Sequence, residues 1–343
     1  MKAIAKTRPA PGVEIVDVPE PTVGPGEVKI KLEAASVCGT DLHIYSWDDW
    51  AAGRIKPPRI IGHEFCGTIV EVGPDVTERA VGDFVASESH IVPRSSAYLQ
   101  AGLGHVAPET SILGVDVDGG FADFVVVPVD NARPTSRSIP PKIASFQDAL
   151  GNAVHTVNDG PVEGCDLLIT GMGPIGLFSV AVAKALGAKR IVVTEVSPYR
   201  IGLAEQIGAD VILNPATDDV DAALSRLAPD GFDGTLEMSG HPSSLPLAIR
   251  HTKPGGRISL LGVFPQNQQT VDLNALIFKG IRMQGIVGRK LWETWDQMGE
   301  LFKTGKLNLD PVVTHQMHFT EFADAMELMK AGRAGKVVFT FDN

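Results

Sequence analysis

A glycine-rich turn constrains the fold of this chain more than any other feature of its sequence. Gly171, Gly173 and Gly176 form a G-x-G-x-x-G pattern that follows the apolar run 167–170 and opens a longer segment with helical spacing. In that context the first glycine allows a tight turn, the second lets backbone approach a pyrophosphate, and the third lets helix and strand pack closely. The pattern therefore predicts a strand, a phosphate-binding turn and a helix.

The chain divides into two regions that differ in their sequence pattern. Residues 1–147 carry short alternating or β-branched runs separated by glycine and proline, which is typical of an all-β region. Beyond residue 166, strands alternate with helical segments, and that alternation implies right-handed crossovers and a parallel sheet. We expect strands at 167–170, 191–196, 211–213, 234–238, 258–261 and 282–287, with helices at 175–187, 199–208, 220–227 and 243–252. The predicted fold class is α/β, with a doubly wound parallel sheet of the Rossmann type and a mainly β domain.

Length and charge limit the function. The 343 residues suggest two domains. A net charge of -11 argues against nucleic acid or an anionic membrane as the main partner, because both require a positive field, and it leaves a small molecule as the expected ligand. The three cysteines, Cys38, Cys66 and Cys165, are too scattered for a disulfide framework, so we expect a cytoplasmic protein. The apolar stretch 167–183 is interrupted by glycine and proline and predicts no membrane span.

The acidic residue after the second predicted strand indicates which dinucleotide binds. Glu195 lies about 20 residues beyond the glycine turn, where a carboxylate accepts hydrogen bonds from both ribose hydroxyls and repels a 2'-phosphate. This favours NAD over NADP, although Arg200 lies close enough in sequence to bind a phosphate. The alternative is a glycine turn that binds no nucleotide.

A second motif predicts a metal site. His63 and Glu64 follow a glycine in a run whose later glycines and valine, Gly67, Gly73 and Val76, match the zinc alcohol dehydrogenase signature at every fixed position. Cys38 ends an earlier predicted strand and adds a thiol, and thiolate with imidazole suits Zn²⁺ with one position left open for substrate.

Two further carboxylates near this motif have alternative roles. Glu64 reaches the same ion as His63 only if the chain bends there, because adjacent side chains on a strand point to opposite faces. It binds either the metal or a group beside the metal. Asp148 either contacts the metal or its water, or caps a helix.

Four segments extend the resemblance beyond the zinc signature. They are 38–50, 151–156, 236–240 and 288–295, and they resemble the L-threonine 3-dehydrogenase group of the zinc-containing medium-chain alcohol dehydrogenases. This resemblance implies a GroES-like catalytic domain over 1–148, a Rossmann NAD-binding domain over 149–288, and a return to the catalytic domain over 289–343. It also implies a homotetramer.

The resemblance assigns roles by position. Cys38, His63 and Glu64 correspond to ligands of a catalytic zinc, Thr40 and His43 to a proton relay, and Asp148 to a residue needed for catalysis. The residues that correspond to NAD contacts are Ile175, Glu195, Arg200, Leu261, Gly262, Val263, Ile286 and Val287. The implied reaction is NAD-dependent oxidation of L-threonine to 2-amino-3-oxobutanoate. The alternatives are a polyol or vicinal-diol dehydrogenase and a non-catalytic nucleotide-binding structural protein.

Two departures from the family pattern stand out. Family members carry a second, structural zinc on four cysteines, and here those positions are Pro93, Ser96, Leu99 and Ala107. None of these side chains replaces a thiolate ligand, so we expect one zinc per chain and a lobe held by packing alone. Residues 149–150 are Ala-Leu where the subfamily has Pro-Phe. His90, near the lobe, either lines the substrate pocket or packs at a strand end.

Overall fold

The computed structural model describes residues 1–342. Residues 1–149 and the segment from 313 onward form one compact unit, and residues 150–312 form another. The predicted return to the first unit at residue 289 is therefore placed too early, because the segment 289–312 packs within the second unit. For example, Asn158 Nδ2 donates a 3.0 Å hydrogen bond to Gln297 Oε1.

The first part of the chain contains ten strands within the described residues. They are β1 (Lys2–Lys6), β2 (Glu14–Asp17), β3 (Glu27–Ser36), β4 (Arg59–Ile60), β5 (Glu64–Val72), β6 (Phe84–Ser87), β7 (His90–Ile91), β8 (Ser111–Ile112), β9 (Phe124–Pro128) and β10 (Ala132–Pro134). The helices of this part are α1 (Gly39–Ser46), α2 (Asp49–Arg54), α3 (Ala97–Gln100), α4 (Pro141–Ala144) and α5 (Gln147–Val157), which crosses the unit boundary.

These helices correct the all-β reading of residues 1–147. Helices α1 and α2 have only eight and six residues, and the hydrophobic residues of α1 do not repeat at helical spacing. Local hydrogen bonds fix their starts instead: Asp41 accepts from the Cys38 amide, and Asp48 accepts from the Ala51 amide at 3.0 Å. The region remains mainly β, with short helices inserted at its loops.

The second unit consists of a parallel sheet and its connecting helices. Its strands are β11 (Asp166–Thr170), β12 (Arg190–Thr194), β13 (Val211–Leu213), β14 (Phe232–Glu237), β15 (Thr252–Leu260) and β16 (Arg282–Gly285). Its helices are α6 (Pro174–Ala185), α7 (Pro198–Ile207), α8 (Val220–Leu227), α9 (Ser244–His251), α10 (Leu273–Phe278) and α11 (Glu293–Lys303).

The order of these strands defines the fold of the second unit. Over residues 150–312 the sheet runs β13-β12-β11-β14-β15-β16, and every neighbouring pair is parallel. This is the 3-2-1-4-5-6 order of the Rossmann fold, which binds dinucleotides at the carboxyl ends of its strands. The predicted Rossmann sheet is confirmed. The apolar stretch 167–183 forms β11, the glycine turn and part of α6, and no helix in residues 1–342 is long and apolar enough to cross a bilayer.

The chain ends in the first unit with β17 (Val313–His318), α12 (Phe322–Lys330) and β18 (Lys336–Thr340). Strand β18 pairs antiparallel with β3 and completes a sheet ordered β10-β6-β5-β3-β18-β17, with β9 also paired to β3. The core of this unit includes Phe65, Phe121 and Phe339, all fully buried, and the last two rings meet edge to face at 5.3 Å. The return of the chain thus places β18 beside the strand that leads to Cys38.

Candidate active site

Three potential metal ligands come together in the first unit. One ligand atom each of Cys38, His63 and Glu64 lies within 4.8 Å of the others. The pairing of β3 with β5 explains the convergence, because Ser36 faces Glu64 in the ladder and Cys38, two residues further on, is the N-cap residue of α1. A thiolate, an imidazole and a carboxylate form a donor set suited to Zn²⁺.

A bend at the start of β5 lets His63 and Glu64 reach the same point. Gly62 has a φ of 92°, a conformation that favours glycine, and β5 begins only at Glu64. His63 therefore precedes the strand, and the alternation of side chains along a strand does not separate it from Glu64. The bend required by the sequence argument is present.

Asp41 is a part of this site that the sequence analysis did not assign. Its carboxylate is fully buried, accepts a 2.9 Å hydrogen bond from the Cys38 amide and lies 3.9 Å from His63 Nδ1. Burial raises the pKa of Asp41 to about 6. Burial also opposes protonation of His63, but the neighbouring Cys38 and Asp41 outweigh it and raise the imidazole pKa to about 10. This set of groups favours a cation, either a proton or a metal that replaces it.

The Glu64 carboxylate has its own partners. Lys336 of β18 and Ser36 of β3 both donate hydrogen bonds to Glu64 Oε2, and Lys336 also donates to the Val37 carbonyl at 3.1 Å. Burial opposes ionisation of Glu64, but Lys336 and His63 outweigh it and lower its pKa. Glu64 is therefore a carboxylate beside the other two ligands. Nothing in the local sequence around Lys336 pointed to this contact.

Thr40 and His43 lie on α1, three residues apart and so on one face of the helix. Thr40 Oγ1 lies 3.8 Å from Cys38 Sγ. The His43 ring is more than half exposed and its Nδ1 hydrogen-bonds Asp48. The two predicted relay residues thus extend from the ligand group toward solvent.

The structure places Asp148 in the first turn of α5, buried, where its Oδ1 accepts a 2.8 Å hydrogen bond from the Ser89 amide. It does not belong to the three-residue ligand group. His90 lies in β7 next to this segment. Its amide donates to Glu88 Oε1, and its carbonyl accepts from Asn131. These backbone contacts leave both predicted roles of the His90 side chain open.

The four positions at which family members carry the cysteines of the structural zinc lie in the lobe that follows β7. Ser96 caps α3 by accepting from the Leu99 amide, and Ala107 is buried. Over residues 1–342 the Cys38, His63 and Glu64 group is the single set of three potential ligands that converges in this way.

The glycine turn forms part of a cleft of about 630 Å³ within the second unit. Gly171 has a φ of 83°, and a Cβ on Gly176 would lie 2.0 Å from the Gly171 carbonyl oxygen, so neither position accommodates a side chain. A Cβ on Gly173 would meet nothing within 4 Å, and α6 has no side-chain cap at that residue. The first amides of α6 are thus available to a phosphate, and the cradle fits the pyrophosphate of a dinucleotide.

Glu195 lies at the rim of this cleft with Arg200. Its carboxylate accepts hydrogen bonds from the amides of Met172, Val196 and Ser197 at 2.7 to 2.9 Å. The contact with Met172 ties Glu195 to the glycine turn, so the predicted phosphate-binding turn and the predicted ribose acceptor are held together. The sequence predicted only the ribose contact of Glu195.

The other predicted cofactor residues follow the carboxyl ends of strands of the same parallel sheet. Ile175 is in the first turn of α6, residues 261–263 follow β15, and residues 286–287 follow β16. Val263 is 92% exposed, and Ile286 is buried.

A buried carboxylate that the sequence analysis missed connects these strand ends. Glu237 Oε1, at the end of β14, accepts from the Thr170 and Ser244 hydroxyls, from the Ser239 amide and hydroxyl, and from the Gly240 amide. The Glu237 carbonyl accepts from residues 261 and 262. The ends of β11, β14 and β15 are therefore fixed to one residue.

Comparison with known proteins places the chain in a class. The model of the alcohol dehydrogenase GroES-like domain matches residues 24–137, and that of the zinc-binding dehydrogenases matches residues 174–304. The chain belongs to the zinc-binding alcohol dehydrogenases. Within that class it falls in the L-threonine 3-dehydrogenase family: the enzymes named so from Pyrococcus abyssi and Symbiobacterium thermophilum are 49% and 45% identical to it, over 99% and 100% of this chain and 98% of each relative.

Solved structures agree with this class. A dehydrogenase from Escherichia coli CFT073 complexed with NADH superposes with a TM-score of 0.91 at 28% identity, covering 99% of both chains. The 2R,3R-butanediol dehydrogenase of Bacillus subtilis superposes with a TM-score of 0.90 at 26% identity, covering 100% of this chain and 99% of the other. The predicted combination of GroES-like and Rossmann domains is confirmed.

Proposed function

We propose that this enzyme oxidises the secondary hydroxyl of L-threonine to 2-amino-3-oxobutanoate, with NAD as hydride acceptor and one catalytic zinc per chain. The observation that carries the proposal is the convergence of Cys38, His63 and Glu64 in a chain that is similar over its whole length to L-threonine 3-dehydrogenases. The intact ligand group argues against a non-catalytic nucleotide-binding protein.

Zinc held by Cys38, His63 and Glu64 supplies a Lewis acid that lowers the pKa of an alcohol, and NAD supplies the hydride acceptor. The buried Asp41 carboxylate, 3.9 Å from His63 Nδ1, adds negative charge beside the three residues that would hold the ion. Lys336 keeps Glu64 ionised in a buried position.

The remaining side chains near the ligands handle the proton. Thr40, whose Oγ1 lies 3.8 Å from Cys38 Sγ, takes up the substrate's hydroxyl proton as it gives up its own toward His43, and the exposed His43 ring releases a proton to solvent. Asp148 acts in catalysis from the first turn of α5.

In the second unit, the amides at the start of α6 bind the pyrophosphate of NAD, and Glu195 binds the adenosine ribose. A 2'-phosphate would meet the Glu195 charge, which favours NAD over NADP. Residues 175, 200, 261–263 and 286–287 complete the cofactor contacts.

The enzyme assembles as a homo-oligomer, a tetramer by its resemblance to the family, and works in the cytoplasm. An edge strand supports assembly: all four residues of β16 are exposed, and β16 is the last strand of its sheet. Leu273, Ile277 and Phe278 of α10 add exposed apolar surface in the same unit. Light scattering of the purified enzyme measures the number of chains.

Zinc content per chain, measured beside NAD reduction with L-threonine, sorbitol and 2,3-butanediol, tests the activity. We expect about one zinc per chain and a kcat/KM for L-threonine at least about tenfold above the other two, a difference of ~1.4 kcal/mol in transition-state binding. Faster oxidation of sorbitol or butanediol would establish the polyol or diol alternative. Full activity in protein purified without zinc would contradict the metal mechanism, and protein that lacks both zinc and activity would favour the non-catalytic alternative.

A further inference from the structure

The segment 47–50 comprises the turn between α1 and α2 and the first two residues of α2. Its sequence, Trp47-Asp48-Asp49-Trp50, begins four residues after the proposed relay residue His43. Trp47 ends α1 in the left-handed conformation, with φ 55° and ψ 50°, which is uncommon for a bulky residue. Its amide caps the helix on the His43 carbonyl at 2.9 Å, and its ring lies under the ammonium group of Lys6 at 4.6 Å.

This turn carries the chain back over the His43 ring. Asp48 Oδ2 lies 2.5 Å from His43 Nδ1, and the Trp50 ring meets the imidazole edge to face at 6.0 Å. The imidazole is thus held on two sides by residues of the segment, while more than half of its surface stays open.

The two oxygens of Asp48 have different partners. Oδ1 accepts a 3.0 Å hydrogen bond from the Ala51 amide and caps α2. Oδ2 lies against His43 Nδ1. Capping of α2 explains the contact between Oδ1 and the Ala51 amide. It does not explain why Oδ2 lies against the His43 ring.

We propose that Asp48 is the positioning residue of the proton relay. By accepting a hydrogen bond from His43 Nδ1–H, it fixes the tautomer in which Nε2 is unprotonated and able to accept a proton. It also stabilises the imidazolium that forms when that proton arrives. The proton then leaves Nε2 for water, and Asp48 stays ionised throughout. Asp48 touches neither substrate nor metal and acts through His43.

This inference deepens the proposed function and rests on it. Two variants separate positioning from capping, since serine and asparagine are both good N-caps. Asp48→Ser keeps the cap and removes the His43 partner. Asp48→Asn keeps the cap but presents an amide to Nδ1, which favours the wrong tautomer. Asp49→Asn, at the exposed neighbouring residue, removes the same charge without touching His43 and serves as the matched control.

The measurement is the steady-state oxidation of L-threonine by the zinc-loaded enzyme. We expect both Asp48 variants to lower kcat about tenfold while the KM for NAD and the zinc content stay at wild-type values. Asp49→Asn should match the wild type. Imidazole added as a proton carrier should restore part of the lost rate in Asp48→Ser, which a purely structural defect would not allow.

A double variant provides the decisive comparison. In a His43→Ala background, Asp48→Ser should lower kcat no further, because Asp48 acts only through that ring. A tenfold loss that persists in this background, or Asp48 variants with wild-type kcat, would overturn the proposal. If the wild type oxidises another alcohol instead of L-threonine, the proposed substrate fails, and the same variants measured with that alcohol still decide the role of Asp48.

Discussion

Lys336 and Glu64 form a buried ion pair between residues 272 positions apart in the sequence. The side chains are 3% and 1% exposed, so water screens the pair very little. The pair joins β18, the last strand of the chain, to the start of β5, and so connects the C-terminal segment to the proposed metal ligands.

Replacing Lys336 by Met should therefore destabilise the first unit. The substitution leaves a buried carboxylate without its cation, which costs roughly 3 to 5 kcal/mol. Urea unfolding and zinc content measure the effect. The double variant Lys336→Met, Glu64→Gln removes both charges and should recover much of the lost stability without regaining zinc affinity. Equal stability of the single variant and the wild type would show that the pair contributes nothing.

Replacing Cys38 by Ser should abolish turnover without affecting the cofactor cleft. A hydroxyl is a poor substitute for a thiolate on zinc, and we expect zinc affinity and kcat to fall more than about 100-fold. The glycine turn, Glu195 and Arg200 all lie in the other unit, so the Kd for NADH by fluorescence titration should stay at its wild-type value. Full activity of zinc-free Cys38→Ser would refute the zinc mechanism.

Replacing two glycines of the turn by alanine should affect different properties, NAD binding at Gly173 and stability at Gly176. At Gly173 a Cβ meets open space, so Gly173→Ala should change the free energy of unfolding by less than about 1 kcal/mol but weaken NAD binding, because the methyl group occupies the phosphate cradle. At Gly176 a Cβ lies 2.0 Å from the Gly171 carbonyl oxygen, and Gly176→Ala should cost roughly 1 to 3 kcal/mol. Thermal unfolding measured with and without NAD separates the two variants. Equal melting temperatures of Gly173→Ala and Gly176→Ala would contradict the roles assigned to these glycines.

Replacing Glu195 by Ser should relax the preference for NAD. Like charges about 4 Å apart repel by roughly 1 to 4 kcal/mol near a protein surface, so the NADP to NAD ratio of kcat/KM should rise at least about tenfold. Arg200 lines the same cleft and should bind the added phosphate. Adding Arg200→Ala should therefore remove most of the gain, and an unchanged ratio in Glu195→Ser would show that this carboxylate does not select the cofactor.

Removing the Glu237 carboxylate should loosen the carboxyl ends of β11, β14 and β15, on the side of the sheet that binds the cofactor. Glu237→Ala leaves the Thr170 and Ser244 hydroxyls and two amides without their acceptor, at about 1 to 3 kcal/mol for each buried group that stays unpaired. Glu237→Gln keeps the oxygen acceptor and should lose less stability. Exposed Glu205→Ala is the control, and identical melting temperatures for Ala and Gln at position 237 would contradict this role.

Regular hydrophobic patterns made the second unit predictable. The strand Val211–Leu213 and the helix Val220–Leu227 have the predicted bounds, and the other strands of the sheet overlap their predictions. The short helices of the first unit could not be predicted in this way. Helices α1 and α2 depend on single capping contacts rather than on a repeating pattern, so the sequence showed no periodicity from which to predict them.

The same contrast holds for the site. Cys38, His63 and Glu64 could be identified because the spacing of the zinc signature is a local property, and the structure brings them together. Their supporting partners have no local signature. Lys336 is near Glu64 only because β18 pairs with β3, and Asp48 is near His43 only because Trp47 turns the chain back.

The sequence by itself determined the Rossmann architecture, the glycine turn before α6 and the candidate ligand set, because periodicity and fixed spacing act over a few residues at a time. Only the tertiary structure decided which charges neutralise each other and which hydrogen bonds orient the reacting groups. Those contacts arise from strand pairing and chain reversal: Lys336 reaches Glu64 across 272 positions because two strands pair, and Asp48 reaches His43 because the chain turns back between them.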